Sequence, residues 1–202
     1  MQLIYAPASP FARKVRVVAI ETGQANEIEL VDATGISPIN PTDTVTRVNP
    51  LARIPALISD DGHLIVDSRV ICEYLDSRHS GKRLIPQTAE RWQSLTLAAV
   101  AEGILDTAVP LRYETALRPE ELQWPELVSK QLNRISQTLD YLERNADTLG
   151  DDICIGRIGL ACALAYMDFR FEQVYWREQR QKLNAWYTEF SNRESMLQTV
   201  PY

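Results

Sequence analysis

Histidine and cysteine are scarce in this 202-residue chain, and each shortage closes off some chemistry. His63 and His79 are the only histidines, a poor supply for a zinc site or a serine–histidine nucleophile. Cys72, Cys154 and Cys162 are odd in number and lack CxxC spacing. They read as reduced cytosolic thiols rather than a disulfide framework or a metal site. No uninterrupted apolar run approaches the ~20 residues that a membrane span requires. A signal peptide's basic and apolar regions are missing too, since strand-like residues begin at once. Positive charge is in deficit, with a formal net charge of −6. Nucleic acids and anionic membranes usually need clustered Lys and Arg, so both are disfavoured as partners. There is no internal repeat and no low-complexity tract. The expectation is a cytoplasmic protein with no metal, nucleic acid or membrane partner.

What is present is ordinary globular composition, 45% hydrophobic and 24% charged, over a length comfortable for two domains. Residues 2–5 read as a strand. Pro10 to about Thr22 reads as a helix ended by Gly23, with Phe11, Val15, Val18 and Thr22 at helical spacing and Val17 and Ala19 widening the apolar face. Ser9 suits the N-cap, and Pro10 the first helical position. Glu27 to Val31 alternates like a half-buried strand, which makes β-α-β with parallel strands. A polar connection runs from Asp32 to Pro50, with a short helix near Thr42–Val48. Residues 55–58 and 63–66 flank Ser59-Asp60-Asp61-Gly62 as a hairpin. Asp67-Ser68 then opens a helix carrying Val70, Ile71, Tyr74 and Leu75. Residues 80–87 read as a linker between a first domain at 1–79 and a second at 88–202.

Everything after Gln87 reads as helical. Stripes fall on Trp92, Leu95, Ala99 and Val100, then on Val128, Leu132, Ile135, Leu139 and Leu142. Two more fall on Ile155, Ile158, Cys162, Tyr166 and Phe169, and on Leu183, Trp186, Tyr187 and Phe190. None runs far enough for a zipper, so each reads as core. Thr107, Val109 and Pro110 suggest a bend in the first of these helices.

Three local sequences, with a fourth in the helical half, give this layout a resemblance. Ser9-Pro10-Phe11-Ala12-Arg13-Lys14-Val15-Arg16 resembles the active-site helix start of the bacterial serine-type cytosolic glutathione transferases. Asn49-Pro50-Leu51-Ala52-Arg53-Ile54-Pro55-Ala56-Leu57 is similar to that family's NPxGKVPxL segment, and Asp67-Ser68 through Tyr74-Leu75 to its (E/D)S…I…YL helix. Ala163 to Arg170 resembles the ALxYLDFR helix of the bacterial branch. The resemblance implies a thioredoxin-like βαβ-ββα domain followed by an all-helical domain, an α/β plus all-α architecture. It implies glutathione as substrate, a small hydrophobic electrophile as second substrate, no metal, a homodimer, and a peroxidase side activity as a possible extra. The alternative is a non-enzymatic module of the same fold that binds another protein.

The same resemblance assigns residues. Ser9 is the catalytic group, its hydroxyl donating to the glutathione sulfur at a helix N-terminus, where thiolates are favoured. Phe11, Arg53, Ile54, Pro55, Asp67 and Ser68 are the glutathione-binding set. In it a cis Ile54–Pro55 bond frees the Ile54 backbone to pair with the cysteinyl residue. Asp67 and Ser68 meet the γ-glutamyl end, and Arg53 meets the glycine carboxylate. Pro7, Ala8 and Tyr113 are assigned to the electrophile pocket, while Tyr5 and Trp92 read as packing and Cys72 as inert. Arg13 and Lys14, one turn into the helix, add positive potential.

Two departures from the family pattern carry expectations. Cys154 and Arg157 stand where members usually carry Ser or Thr and, three residues on, Asp. This removes a capping oxygen worth ~1 kcal/mol and reverses the local charge; Asp151 or Asp152 are the candidate replacements. Ala52 and Arg53 stand where glycine and lysine are common, which restricts close backbone approach.

Overall fold

The computed structural model describes residues 1–202 and divides into two units. The first unit holds Met1–Trp92 together with Glu194–Tyr202; the second is Gln93–Arg193. Against the ranges 1–79, 80–87 and 88–202, the first unit takes in 80–92 and the last nine residues. Residues 80–87 are no free linker, because the buried Asp76 carboxylate accepts the amides of Leu84 (2.6 Å) and Ile85 (3.2 Å). The last nine residues return to the first unit.

In unit 1 the strands are β1 (Gln2–Tyr5), β2 (Glu29–Asp32), β3 (Ala56–Ile58) and β4 (Leu64–Ile65). The helices are α1 (Pro10–Glu21), α2 (Asp43–Thr46) and α3 (Ser68–Arg78). The sheet order is β2-β1-β3-β4, with β2 parallel to β1 and the other neighbours antiparallel. Period-two alternation sorts its side chains. Ile4 and Ala56 pack on one face with Ala33 and Val45, the latter from α2. Leu3 and Leu57 point to the other face and are fully buried, as are Val15 and Val18 of α1 and Ile71 and Leu75 of α3. The second strand begins two residues later than its alternation suggests, because Ala25–Glu27 closes a 3-10 turn first, and Leu30 stays 45% exposed. Val70 is also exposed; the buried face of α3 is Ile71, Cys72 and Leu75.

Unit 2 is helical: α4 (Arg91–Ala116, starting in unit 1), α5 (Pro125–Arg144), α6 (Ile155–Arg170), α7 (Trp176–Gln179) and α8 (Gln181–Phe190). A last short helix, α9 (Glu194–Leu197), belongs to unit 1. α4 continues through Pro110 to Ala116. By length and composition it could cross a membrane, which a search for unbroken apolar runs passes over. Its Ala101, Ile104, Leu105, Ala108 and Leu111 are buried in unit 2 at helical spacing, as in the core helix of a globular fold. Trp92, expected to pack, is 73% exposed. The phase of α4 was misread because apolar residues lie all around it.

The start of α6 resolves the first departure from the family pattern. Cys154 is the N-cap residue and its side chain caps nothing. Instead Ser94 Oγ of α4 accepts the Gly156 amide at 3.4 Å, supplying from a neighbouring helix the oxygen missing from the local sequence. Arg157 turns back and donates to the carbonyls of Leu149 and Asp152. Its guanidinium thereby braces the loop that precedes the helix. At the other end Asp168 accepts Trp176 Nε1 (2.8 Å) and both Nε (3.0 Å) and Nη2 (2.7 Å) of Arg177, tying α6 to α7.

Candidate active site

Strand register decides which loops meet. Leu3 pairs with Leu57 and Ile4 with Ala56, so the C-terminal end of β1 lies beside the N-terminal end of β3. Leu57 also pairs with Ile65, which brings the C-terminal end of β4 to the same edge. Three connections therefore emerge there: Ala6–Ser9 leading into α1, Arg53–Pro55 leading into β3, and Val66–Asp67 leading into α3. Ser9, Ile54, Pro55, Asp67 and Ser68, assigned from separate stretches of sequence, are thus placed by the sheet on neighbouring loops.

Ser9 is the N-cap of α1, with extended backbone and Pro10 in the first helical position. Its Oγ accepts the Ala12 amide at 3.2 Å, and its own amide donates to Ala6 O at 3.0 Å, closing the turn through Pro7 and Ala8. A hydroxyl that accepts in this way keeps its hydrogen to donate elsewhere. The twelve residues of α1 place partial positive charge at this end. Pro7 is buried, whereas Ala8, Ser9 and Phe11 are half-buried. Tyr5, expected as strand core, is half-buried under Arg16, whose guanidinium carbon sits 5.2 Å from the ring centroid.

Arg13 does not aim its charge at the loop edge. It is 95% withdrawn from solvent, and Nε and Nη2 donate to Thr199 Oγ1 (3.3 Å) and Met196 O (3.0 Å). Lys14 is buried as well. Both cations are withdrawn from the surface, and Arg13 fastens α1 to the C-terminal segment.

The Ile54–Pro55 bond is cis. Asn49, fully buried, braces the loop before it, donating from Nδ2 to Arg53 O (2.7 Å) and accepting the Leu51 amide (3.0 Å). Sequence reasoning quoted Asn49 within a motif and gave it no role. The signal for one was its position, four residues before the carbonyl it holds. Ala52 adopts φ +50°, the left-handed region, where the family pattern has glycine. Arg53 is exposed and Ile54 half-buried.

Asp67 is the N-cap of α3, accepting the Arg69 amide at 2.9 Å, while Arg69 Nη2 and Nε reach its Oδ2 at 2.8 and 3.2 Å. The Arg69 hydrogen bonds hold its carboxyl below the usual carboxylate range. Ser68 is buried in the first turn. The Val66–Asp67 bond is also cis, which nothing in the sequence signals. In unit 2, Tyr113 lies half-buried on α4. Burial raises its phenol pKa, and the nearby Arg170 opposes the rise. The three cysteines are buried and form no disulfide. No group of three or more His, Cys, Asp or Glu side chains clusters as a metal site would.

Known proteins share this arrangement. Residues 3–83 match the glutathione S-transferase N-terminal domain, and residues 112–189 the glutathione S-transferase C-terminal domain. The uncharacterized GST-like protein YibF of Escherichia coli K12 is 29% identical over 207 residues, covering 100% of this chain and 98% of that protein. A glutathione transferase family member from Pseudomonas fluorescens Pf-5, solved with bound glutathione, is 44% identical with a TM-score of 0.96, covering 100% of this chain and 98% of that one. A second Pf-5 structure, also 44% identical, has a TM-score of 0.91 over 100% of both chains and holds S-(propanoic acid)-glutathione. With a thioredoxin-like unit, a helical unit and both domain signatures in order, the chain belongs to the glutathione transferase family.

Proposed function

We propose that the chain is a serine-type glutathione transferase, which ionises the glutathione thiol and transfers the thiolate to a small electrophile. The observation that carries this reading is the Ser9 hydroxyl. It caps α1, already accepts an amide, and keeps a hydrogen to donate at a positive helix terminus. A free thiol with pKa near 8.5 is mostly protonated at neutral pH. One hydrogen bond to the charged sulfur, worth about 1.5–3 kcal/mol, together with the helix terminus shifts that balance by a pKa unit or more. In the reaction the sulfur forms a bond to carbon. In a substitution the leaving group departs with its electron pair; in an addition the π electrons move to the neighbouring carbon, which takes a proton from water.

The remaining assignments follow the loop edge. The Ile54 backbone, in the loop that enters β3, pairs with the cysteinyl residue as an added strand. The N-terminus of α3, with Ser68, takes the γ-glutamyl carboxylate, and Asp67 takes its amino group. Arg53, exposed beside Ile54, takes the glycine carboxylate, and Phe11 lines the site. The Pf-5 relative's two ligands support both the tripeptide site and a substituent on its sulfur. We further propose a homodimer; a single 23 kDa species in sedimentation would contradict that.

The test is Ser9→Ala, expected to lower kcat/KM about 10- to 100-fold with a smaller change in glutathione affinity. Ultraviolet titration of the bound thiol should show its pKa rising toward the free value. Unchanged turnover would remove Ser9 from the mechanism. Glutathione binding without turnover of any electrophile would favour the protein-binding alternative.

A further inference from the structure

Ile54 carries backbone groups that the chain itself leaves unused. Neither its amide nor its carbonyl bonds to another residue, although Ile54 is half-buried at the entrance to β3. The direction of that amide is decided one residue earlier. The Arg53–Ile54 bond is not one of the chain's cis bonds, so its carbonyl and its N–H point in opposite directions. Asn49 Nδ2 donates to the Arg53 carbonyl at 2.7 Å. This bond fixes the peptide plane and turns the Ile54 N–H away from Asn49.

Asn49 is a firm anchor for that purpose. It is 1% exposed, its amide donates to Val45 O at 2.8 Å, and its carbonyl accepts the Ala52 amide at 2.9 Å. Val45 is itself fully buried. The Asn49 side chain also accepts the Leu51 amide at 3.0 Å, so its two ends face a donor and an acceptor at once. Only a carboxamide serves both. Aspartate has the same shape but would set an oxygen against the Arg53 carbonyl, and glutamine is longer by a methylene.

We propose that Asn49 is a positioning residue for glutathione. Through the Arg53–Ile54 peptide it holds the Ile54 N–H in the direction from which the cysteinyl residue is received. The inference rests on the added-strand reading above. It concerns capture of the tripeptide, whereas ionisation of the thiol belongs to Ser9.

The test compares wild type with Asn49→Asp, which keeps the shape and the Leu51 bond and removes the donor. Glutathione binding is measured by calorimetry, and exchange of the Ile54 amide by NMR with and without glutathione. Turnover is followed across a glutathione series with 1-chloro-2,4-dinitrobenzene, in which the thiolate forms the C–S bond and chloride leaves. In wild type, glutathione should slow Ile54 exchange at least about tenfold. In Asn49→Asp that protection should fall, and both Kd and KM for glutathione should rise about 5- to 10-fold. At saturating glutathione kcat should stay within about twofold of wild type. A residue needed only for folding would reduce the active fraction, lowering kcat with KM unchanged. That pattern, or unaltered binding, overturns the proposal. Asn49→Ser is the second variant, since its hydroxyl can form the turn with Leu51 but cannot reach Arg53. It should weaken glutathione binding in the same way. Thermal melts showing both variants unfolded would assign Asn49 to the fold alone and overturn the proposal as well. Failure of bound glutathione to protect Ile54 in wild type would sink the added-strand reading, and this proposal with it. Protection in wild type with unaltered variants would sink the proposal alone.

Discussion

Ala52 shows what a single side chain does to the loop that leads to Ile54–Pro55. A non-glycine residue in the left-handed region costs roughly 1–2 kcal/mol, and Ala52 sits there at φ +50°. Glycine would relieve that strain but return about 0.4–1 kcal/mol of freedom to the unfolded chain. Ala52→Gly should therefore raise the urea midpoint modestly, a net gain of about 0.5–1 kcal/mol; a lower midpoint would show the strain to be absent. Tyr166 supplies a pH signature. Burial, chiefly, pushes its phenol up to about 12. The unfolded chain releases that proton near pH 10, so between about 10 and 12 it binds fewer protons than the folded one. The stabilisation is intact below pH 10 and lost as pH climbs through the folded value, an effect on the order of 2 kcal/mol. Denaturation at pH 9 and pH 11 should show this slope in wild type and a flatter one in Tyr166→Phe. Individual residues were legible in proportion to how local their signal is. Ser9 and Asp67 were read as caps because a cap is decided within three residues. The fastening role of Arg13 was not legible because its partners lie at Met196 and Thr199, far along the sequence.

Helices and strands of unit 1 were readable because their periodicity, turn residues and caps agree with one another. The shift of β2 and the exposure of Leu30 come from a 3-10 turn that alternation cannot foresee. α4 shows the opposite weakness: its apolar residues run around the helix, so the stripe at Trp92, Leu95, Ala99 and Val100 marked a helix there and missed its buried face. The N-terminus of α6 is an element-scale solution invisible in local sequence, because its capping oxygen comes from Ser94 on another helix. Ser94→Ala should cost about 0.5–1 kcal/mol. The two glycines of α6 give a sharper comparison. A Cβ on Gly156 would meet Ser94 O at 2.5 Å and Leu97 Cβ at 2.9 Å, whereas on Gly159 the nearest atom is Ala101 Cβ at 3.5 Å. Gly156→Ala should lower stability by about 1–3 kcal/mol. Gly159→Ala should be neutral or raise it by up to about 1 kcal/mol through helix propensity. Thermal melts placing the two variants in the reverse order would contradict the packing described.

Across the whole molecule, the C-terminal segment is part of the unit that carries Ser9. Met196 and Thr199 are buried, Ser195 Oγ donates to Glu21 Oε1 at 2.5 Å, and Arg16 Nη2 donates to Gln198 O at 3.3 Å. Each end of α1 is thus held by the same stretch of chain. Removing residues 194–202 should destabilise unit 1 by at least about 3 kcal/mol, from one buried methionine and several hydrogen bonds. Amides of α1 should then exchange faster, while those of α5 and α6 keep their protection. Uniform loss of protection would mean that the two units open as one.

That discontinuity has a consequence for how the protein is made. A ribosome delivers the first ninety-two residues of unit 1, then the whole of unit 2, and only afterwards the segment that receives Arg13. Until then the nascent α1 carries a guanidinium with nowhere dry to rest, and the helix bearing Ser9 waits for translation of residues 194–202.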